Sequence, residues 1–303
     1  MRINIQNTQK SDIFGATKSK IDLVRIQQTK PIQELLEFSI VNVDKPADCT
    51  SFDVADKIRK IFGARKTGHF GTLDPMVTGV LPVALNRACK LVGYFMHHDK
   101  VYIGKMYIHK EVSEENLREE MKKFVGKIKQ MPPVKSAVKR QIRERRVNRF
   151  EILKINGKVV EFIADVEAGT YIRKICSDLG EKIGGAHMTE LRRIKAGIFE
   201  EKNSLSVEYI ENAFKLWKEK NDESKIRSIL IPAEIISEIL PVVQVKPDNL
   251  KSILTGKPIF KKDIIGKLPD TEIFSLFSED RFIGVYKRVD EEDIIARAEF
   301  VLN

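Results

Sequence analysis

Apolar residues recur along this chain with two periods, one typical of strands and one typical of helices. In residues 160–167 every second residue is apolar, which predicts a strand with one buried face. Elsewhere the spacing is three or four residues, as on one face of a helix. Three such segments begin beside hydroxyl residues that can cap them, at Thr50 or Ser51, at Ser113 and at Ser206. We therefore predict an α+β fold.

The same pattern gives the order of the elements. Strands are predicted at residues 38–43, 76–85, 101–108 and 160–167. The predicted helices are defined by four apolar stripes, which are Val54, Ile58, Ile61 and Phe62; Leu117, Met121, Phe124 and Val125; Ile172, Ile175, Leu179 and Ile183; and Val207, Ile210, Phe214 and Trp217. Gly63 and Gly126 stand where the first two helices should end.

The composition along the chain predicts three parts. Residues 1–37 begin polar and irregular, continue as a short helical or irregular segment, and are expected to form an N-terminal extension that packs on the body. Residues 38–238 form the main domain. Residues 239–303 form a compact, mostly β module. Its predicted strands are residues 258–265, 272–277, 282–288 and 295–302.

The charge of the chain indicates a polyanionic partner. It has 53 Lys and Arg residues against 43 Asp and Glu residues, a formal net charge of +10. Nucleic acid is favoured over an acidic membrane, because no amphipathic or transmembrane anchor accompanies the charge. In residues 135–149 seven basic residues accompany one acidic residue, which favours RNA contact over a solvated charged face. The candidate RNA-binding residues of this run are Lys139, Arg140, Arg143, Arg145 and Arg146.

Cysteine usage argues against a metal site. Cys49, Cys89 and Cys176 lie far apart, with no C-x-x-C pair and no His at ligand spacing. We therefore expect neither a structural zinc nor a disulfide framework, and a reducing, cytoplasmic location fits. The N-terminus has no apolar signal core, and no segment approaches the roughly 20 apolar residues that a membrane helix needs.

Residues 68–75, G-H-F-G-T-L-D-P, place one carboxylate in a short, restricted loop. The two glycines allow positive φ and close backbone approach, and Pro75 disfavours the α conformation for Asp74 before it. The loop is therefore suited to a fixed presentation of the carboxylate. Taken alone, an Asp-Pro pair more often forms an ordinary turn.

The longer run of residues 68–82, G-H-F-G-T-L-D-P-M-V-T-G-V-L-P, closely resembles the catalytic motif of the pseudouridine synthases that include bacterial TruB and archaeal and eukaryotic dyskerin. The resemblance implies that Asp74 is catalytic and that the chain isomerises uridine to pseudouridine in rRNA or tRNA without a cofactor. It also implies the pseudouridine synthase fold, a mixed, largely antiparallel sheet flanked by helices. Asp74 would act either as a nucleophile at C1′ or as a base at C2′, and both routes stay open.

Further family motifs assign two more catalytic residues by resemblance. Tyr102, in D-K-V-Y, matches the tyrosine that stacks on the target base. Arg173, in G-T-Y-I-R, matches the arginine that pairs with the catalytic Asp, and Tyr171 matches the tyrosine that packs beneath it. A flipped uridine must leave its base stack, at a free-energy cost of a few kcal/mol that stacking and phosphate contacts offset.

Other matched residues are expected to support the pocket or to touch RNA. Lys45 and Pro46 resemble the Lys-Pro pair beside the active site, and Leu191 resembles the leucine that helps to close the pocket. His69 and Phe70 are candidate RNA contacts. Phe70 stands where the family usually has Ser or Thr, and its ring would either stack on a base or fill a gap.

The resemblance also implies partners. P-P-V-K-S-A-V-K-R at residues 132–140 resembles the dyskerin-type sequence, and residues 239–303 resemble a PUA domain, a small, β-barrel-like RNA-binding fold. Only a short connection separates the predicted strand of Tyr102 from the helix at Ser113, where bacterial stand-alone enzymes carry an RNA-gripping insertion. An archaeal dyskerin-like enzyme would instead use a box H/ACA guide RNA and three small accessory proteins.

Two other functions remain open from the sequence. One is a stand-alone synthase that acts on the T-loop uridine of tRNA. The other is a non-catalytic RNA scaffold, in which Asp74 only shapes a loop. The presence of Asp74, Tyr102 and Arg173 together disfavours the scaffold.

Overall fold

The computed structural model describes residues 21–131 and 141–303, which form two compact units. The larger unit is Leu23–Ile235, and the smaller unit is built mainly from Ile236–Asn303. The dyskerin-type sequence at residues 132–140, with the candidate RNA contacts Lys139 and Arg140, lies outside the described residues.

The helices of the described part are α1 (Leu23–Thr29), α2 (Ile32–Glu37), α3 (Ser51–Phe62), α4 (Val92–Met96), α5 (Glu114–Lys122), α6 (Ile172–Ile183), α7 (Val207–Lys220), α8 (Ser224–Ile229) and α9 (Leu250–Leu254). Its strands are β1 (Ser39–Lys45), β2 (Thr67–His69), β3 (Thr78–Leu85), β4 (Lys100–Ile108), β5 (Gly126–Gln130), β6 (Arg143–Asn156), β7 (Val159–Val166), β8 (Ala186–Ala196), β9 (Phe199–Glu200), β10 (Ile231–Pro232), β11 (Val242–Val245), β12 (Ile259–Phe260), β13 (Ile264–Ile265), β14 (Ile273–Ser278), β15 (Arg281–Arg288) and β16 (Ile294–Val301). Short 3-10 segments lie at Asn86–Leu91, Glu201–Asn203, Ala233–Glu238, Pro247–Asn249 and Lys261–Asp263.

A large sheet organises the larger unit. Its strand order is β10-β1-β3-β8-β4-β7-β6-β5, with β2 beside β3 and β9 beside β8. Within the described residues its neighbouring strands are antiparallel, except for the parallel pair β3 and β8. The helices α3, α5, α6 and α7 bury their apolar stripes against this sheet in one core. The predicted mixed, largely antiparallel α+β fold is confirmed.

Local capping explains where these helices begin. The hydroxyl of Thr50 accepts a hydrogen bond from the Asp53 amide, and the Asp53 carboxylate accepts one from the Thr50 amide. Ser113 and Ser206 cap α5 and α7 in the predicted positions. Gly63 ends α3 with φ of 61°, a left-handed conformation that glycine adopts without strain.

One predicted helix end was wrong. The helix α5 ends at Lys122, and Gly126 begins the strand β5. Val125 was placed on the buried stripe but its side chain is exposed, because residues 123–125 already form the turn into the strand. Phe124, just before it, packs against the core.

The basic run continues into a strand that the sequence did not reveal. Residues from Arg143 onward form β6, which pairs with β5 on one side and β7 on the other. Charged residues dominate the start of this strand, so the apolar alternation that predicted β7 is absent there. The pairing with β7 supplies the order that the local sequence does not indicate.

The smaller unit is a near-closed, six-stranded barrel with the strand order β12-β16-β15-β14-β11-β13. Phe274, Leu276 and Tyr286 are buried in its core. The strand predicted at residues 258–265 is two short strands, β12 and β13, separated by a 3-10 turn. The turn forms because the Asp263 carboxylate accepts hydrogen bonds from the Phe260 amide and the Asn249 side chain.

Within the larger unit, α1 and the residue after it, Lys30, contact α8 and the chain that follows α8. Gln27 Nε2 donates to the carbonyl oxygens of Arg227 and Leu230, each at 3.0 Å. Lys30 forms an ion pair of 2.6 Å with Glu234, whose side chain is buried. These bonds join α1 to α8 and to the chain that follows it.

Candidate active site

Asp74 lies in the loop between β2 and β3. Its side chain is 55% exposed, and its carbonyl oxygen accepts a hydrogen bond of 3.0 Å from the Val77 amide. This bond closes a turn around Pro75, as the Asp-Pro pair favours. The loop thus points a carboxylate to solvent while its backbone turns back into β3.

Lys45 holds the backbone on the C-terminal side of Asp74. The ammonium group lies at the end of β1 and donates to the carbonyl oxygens of Pro46, Pro75 and Val77 at 2.8, 3.0 and 2.8 Å. The side chain is fully buried. Burial lowers the pKa of Lys45, and the neighbouring Cys49, Asp48 and Asp74 oppose that effect.

Ser51 holds the backbone on the N-terminal side of Asp74. The Leu73 amide donates to Ser51 Oγ at 2.8 Å, and Ser51 Oγ lies 3.0 Å from the Leu73 carbonyl oxygen, to which it donates. Ser51 is the first residue of α3 and is buried. The sequence indicated Ser51 only as a possible helix cap, so its contact with the loop was missed.

Arg173, in the first turn of α6, contacts Asp74. Arg173 Nη2 lies 2.6 Å from Asp74 Oδ2, although the two residues are 99 positions apart in the chain. Both side chains are 55% exposed. Within the described residues, Asp74 Oδ1 has no hydrogen-bond partner, so one carboxylate oxygen is left unpaired.

The start of α6 is held in place by Gln130, which the sequence did not indicate. The Tyr171 amide donates to Gln130 Oε1 at 3.0 Å, and Gln130 Nε2 donates to the Tyr171 carbonyl oxygen at 3.2 Å. Gln130 is buried at the end of β5. This pair of bonds fixes the residue that precedes α6, and Arg173 stands in the first turn of that helix.

Tyr102 and Leu191 lie on adjacent strands beside the loop. Tyr102 of β4 is paired with Arg193 of β8, and Arg193 is paired with Gly79 of β3. Neighbouring strands are about 4.8 Å apart, which places Tyr102 about 10 Å from Gly79 across the sheet. Tyr102 and Leu191 are each 9% exposed and belong to the core. Most of the Tyr102 side chain is therefore covered.

Two buried cations near the loop were not predicted. Arg193 is 1% exposed; its Nε donates to the Val80 carbonyl oxygen at 2.7 Å and its Nη2 to that of Gly71 at 3.0 Å. Lys100 is 5% exposed and donates to the carbonyl oxygens of Met96 and His98. Burial, and then the Arg193 charge, lower the pKa of Lys100 to about 8.

Phe70, a candidate RNA contact whose ring could also fill a gap, is buried. Its side chain is 1% exposed and stacks on Phe95, with ring centroids 4.8 Å apart and an interplanar angle of 1°. Phe199 packs on both rings. Phe70 therefore fills a gap between the loop and the chain after β8, which is the other use considered for its larger ring.

His69, the last residue of β2, is only partly covered. Its Nε2 lies 3.2 Å from Thr72 Oγ1. Burial lowers the pKa of His69, and the positive charge of Arg193 lowers it further. A neutral imidazole beside the loop can still donate or accept a hydrogen bond, so RNA contact stays a prediction.

The described arginines of the basic run lie on two faces of β6, and their contact with RNA stays a prediction. Arg146 is exposed, whereas Arg143 and Arg145 are half-buried on the other side of β6. The Arg145 guanidinium packs over Gly169, where an added Cβ would lie 3.3 Å from it. Arg145 therefore contacts the turn that leads to Tyr171 and Arg173.

Two further observations concern possible metal ligands and the length and hydrophobicity of the helices. In residues 21–131 and 141–303, no three His, Cys, Asp or Glu side chains gather as a metal-binding group. Among the described helices, none combines the length and apolar character that crossing a membrane requires.

Two family profiles match the larger unit. Residues 59–172 match the N-terminal domain of the TruB family pseudouridylate synthases, and residues 173–237 match the C-terminal domain of tRNA pseudouridylate synthase B. The first match contains Asp74 and Tyr102, and the second begins at Arg173.

Named relatives are similar over most of the chain. The probable tRNA pseudouridine synthase B of Methanopyrus kandleri is 39% identical over 272 residues, which cover 88% of this chain and 80% of that protein. The protein of the same name from Methanocaldococcus jannaschii is 42% identical over 236 residues, which cover 78% of this chain and 70% of that protein.

Solved structures extend the similarity. A chain in a Cbf5-Nop10-Gar1 complex superposes with a TM-score of 0.83 and 35% identity, over 91% of this chain and 88% of that chain. A chain in an H/ACA ribonucleoprotein bound to a substrate RNA containing 2′-deoxyuridine gives a TM-score of 0.82 and 32% identity, over 91% and 88% of the two chains. The chain therefore belongs to the TruB family of pseudouridine synthases, RNA-modifying isomerases, and has the Cbf5-like fold.

Proposed function

We propose that Asp74 is the catalytic residue of this pseudouridine synthase and that Arg173 aims its carboxylate. The observation that carries the proposal is the 2.6 Å contact between Arg173 Nη2 and Asp74 Oδ2, which leaves Oδ1 without a partner among the described residues. Isomerisation breaks the C1′–N1 bond, turns the base and joins C5 to C1′. The free carboxylate oxygen can attack C1′ or take the proton from C2′.

Tyr102, Tyr171 and Leu191 form the walls of the proposed pocket. Tyr102 is the group that meets the flipped base, and its hydroxyl makes no hydrogen bond to a described residue, so it is available near the position where C5 loses its proton. Because Tyr102 is only 9% exposed, the base approaches the ring at its uncovered edge. No cofactor is needed for this chemistry.

Residues outside the pocket also bind RNA in this proposal. Arg143 and Arg145 are only half-buried and lie on the same face of β6, so the accessible parts of their guanidinium groups suit a phosphate that approaches the turn before Tyr171. Arg146, Lys139 and Arg140 supply further charge, and His69 contributes a polar contact beside the loop. The C-terminal barrel, residues 239–303, acts as a PUA domain that binds RNA.

The chain works as the catalytic subunit of a box H/ACA guide ribonucleoprotein in the cytoplasm. Support comes from the superposition with the Cbf5 chain of the Nop10 and Gar1 complex and with the substrate-bound ribonucleoprotein, each over 91% of this chain. The connection from β4 to α5 is only residues 109–113, too short for an RNA-gripping insertion. Guide RNA and small proteins similar to Nop10 and Gar1 take over that role.

A second function is favoured by the names of the relatives. The proteins of Methanopyrus kandleri and Methanocaldococcus jannaschii are called probable tRNA pseudouridine synthase B. A stand-alone enzyme of that kind would modify the T-loop uridine of tRNA without a guide.

One reconstitution separates the two functions. The purified chain is incubated with transcribed tRNA, and with rRNA fragments in the presence or absence of a matching guide RNA and accessory proteins. Pseudouridine is then located by chemical mapping. Guide-dependent modification of rRNA supports the ribonucleoprotein, whereas modification of the tRNA T-loop by the chain alone supports the stand-alone enzyme. Absence of activity in every reaction contradicts both.

A further inference from the structure

The buried cations of the described chain gather at one place. Lys45, Lys100 and Arg193 are its buried Lys and Arg residues, with side chains 0, 5 and 1% exposed. All three lie against the loop that carries Asp74. Lys45 bonds to its backbone, and a Cβ added at Gly71 would lie 3.8 Å from Lys100 Cε and 3.5 Å from Arg193 Nη1.

Arg193 joins the two ends of this loop. Its guanidinium bonds to Gly71, three residues before Asp74, and to Val80, six residues after it. Ser51 and Lys45 hold the backbone between these ends. Arg193, Ser51 and Lys45 together donate hydrogen bonds to the carbonyl oxygens of alternate loop residues. These residues are Gly71, Leu73, Pro75 and Val77.

The charge of Arg193 is not neutralised by a neighbour. No carboxylate within the described residues forms an ion pair with Arg193, Lys45 or Lys100. Arg192, the next residue on the same strand, pairs instead with Asp44 and Glu201 and is partly exposed. A buried guanidinium cannot lose its proton, so burying it without a counterion opposes folding.

A buried charge that opposes folding calls for a role other than stability. We infer that Arg193 is a positioning residue for pseudouridine formation, which fixes the backbone of the loop so that the Asp74 carboxylate meets both Arg173 and the ribose of the target uridine. This inference rests on the proposed role of Asp74.

The geometry explains why a guanidinium is needed. Arg193 bonds to two carbonyl oxygens in different directions, from Nε and from Nη2. Its planar fork presents two donor nitrogens at a fixed separation, whereas an ammonium such as that of Lys45 donates from one nitrogen. A shift of about 1 Å in the loop would displace the carboxylate from C1′ or C2′, and such a displacement reduces rates by about 100-fold.

The test compares Arg193→Met with the matched variant Arg192→Met in the full chain. Both remove one arginine of β8, but only the first removes bonds to the loop. Single-turnover rates and RNA affinity are measured on the RNA that the wild type modifies. Amide hydrogen exchange of residues 71–77 is followed by mass spectrometry, well below each variant's unfolding temperature.

For Arg193→Met we expect the rate to fall by about 100-fold with RNA affinity within about threefold, because the phosphate contacts are untouched. Exchange at residues 71–77 should rise by at least about tenfold. Arg192→Met should keep the rate within about threefold and leave loop exchange unchanged. An Arg193→Met protein with wild-type loop exchange, or with faster exchange but an unchanged rate, would overturn the inference.

Further measurements distinguish a failure of Arg193→Met to fold, and a failure of the proposed function, from a failure of the inference. If Arg193→Met does not fold, Arg193→Lys replaces it in the test, because lysine keeps the positive charge but has a single donor nitrogen. This variant should still show faster amide exchange in the loop and a rate about tenfold lower than the wild type. Wild-type behaviour of that variant counts against the inference. If the wild type modifies no RNA, the proposed function fails, and exchange alone decides whether Arg193 holds the loop.

Discussion

At the scale of single residues, the proposed catalytic pair is exposed and its supports are buried. Asp74 and Arg173 are each 55% exposed, and an ion pair in that setting stabilises a fold by only about 0.2–1 kcal/mol. Its value lies in the direction it gives to the carboxylate. Lys45 and Arg193 are fully covered and bond to backbone carbonyls instead. The loop is therefore fixed from within, and its carboxylate is left to the substrate.

Replacing the carboxylate of Asp74 tests the proposed chemistry. Asp74→Asn should reduce pseudouridine formation by roughly 10⁴-fold or more, since an amide cannot act as nucleophile or base. RNA affinity should change by less than about twofold, because phosphate contacts supply most of the binding. Pseudouridine is quantified by chromatography of digested RNA and affinity by filter binding. Substantial residual turnover would rule out Asp74 as the catalytic residue.

Replacing Arg173 tests whether this cation orients the Asp74 carboxylate. Arg173→Ala should lower the single-turnover rate by about 10²–10³-fold, the effect of losing one charged donor in an active site. Thermal stability should fall by less than about 1 kcal/mol, because the pair is half-exposed. Arg118→Ala is the control, since Arg118 forms a comparably exposed pair with Glu114 on α5. Equal rates for both variants would show that the Asp74 contact is unimportant.

At the scale of elements, the parallel pair β3 and β8 brings the loop of Asp74 to the centre of the sheet. Gly79 faces Arg193 across this pair and has φ of 102°. A Cβ at Gly79 would lie 2.2 Å from the Arg193 carbonyl oxygen, a distance that backbone atoms cannot accept. The two strands therefore approach closely because residue 79 is glycine. The same approach lets the Arg193 side chain reach Gly71.

Gly79→Ala should consequently destabilise the protein by about 3 kcal/mol or more, from strain at positive φ together with the backbone clash. Gly63→Ala is the matched control. Gly63 also has positive φ, 61°, but an added Cβ there meets nothing within 4 Å, so the loss should be about 1–2 kcal/mol. Urea unfolding measures both free energies. Similar losses for the two variants would argue against close packing at Gly79.

At the scale of the whole molecule, charge governs both RNA binding and the response to pH. The excess of positive charge is spread over many surfaces, but Lys139, Arg140 and Arg146 belong to one run. Buried positive charge behaves differently from surface charge, because water and salt screen it less. The two kinds of charge lead to separate predictions.

Neutralising Lys139, Arg140 and Arg146 together should weaken RNA binding across sequences. It should also flatten the salt dependence by about 0.7–0.9 units of log–log slope per lost phosphate contact. Stability should change by less than about 0.5 kcal/mol for each substitution. Neutralising three exposed lysines elsewhere, Lys202, Lys215 and Lys220, controls for net charge. A salt-dependence slope equal to that of the control would show that the basic run is a solvated surface without phosphate contacts.

Stability should rise with pH through the titration of Lys100. Burial lowers its folded-state pKa to about 8 from an ordinary value of 10.5, so the unfolded chain binds more protons between these values. The penalty for burying the charge is complete below pH 8 and disappears as pH rises to about 10.5. Lys100→Met should remove this rise. Urea unfolding of both proteins from pH 7 to 10 measures it, and parallel curves would contradict the assignment.

The sequence by itself determined the elements whose signals are local. The helices α5 and α7 are capped by Ser113 and Ser206 as predicted, and α3 is capped by Thr50, one of the two residues proposed, because caps and apolar stripes lie within a few residues of one another. The motif around Asp74 is one continuous run, so the family followed from the chain alone. The mixed fold followed in the same way from alternating periods.

Only the tertiary structure decided how the loop is held and which residues reach it. Ser51, Gln130 and Arg193 bond to backbone groups that are 22, 41 and 122 positions away. Such bonds have no period and no local motif, since any buried polar side chain at the right point of the fold can make them. Burial likewise decided that Phe70 packs on Phe95 instead of facing RNA.

The basic run shows the same division between sequence and fold. Its composition indicated a polyanion, but the pleat of β6 decides which face each arginine takes, and pairing with β5 and β7 fixes that pleat. Arg146 consequently faces solvent, while Arg145 packs over Gly169. Charge is a property of residues, whereas the direction of a side chain depends on strand partners that are distant in sequence.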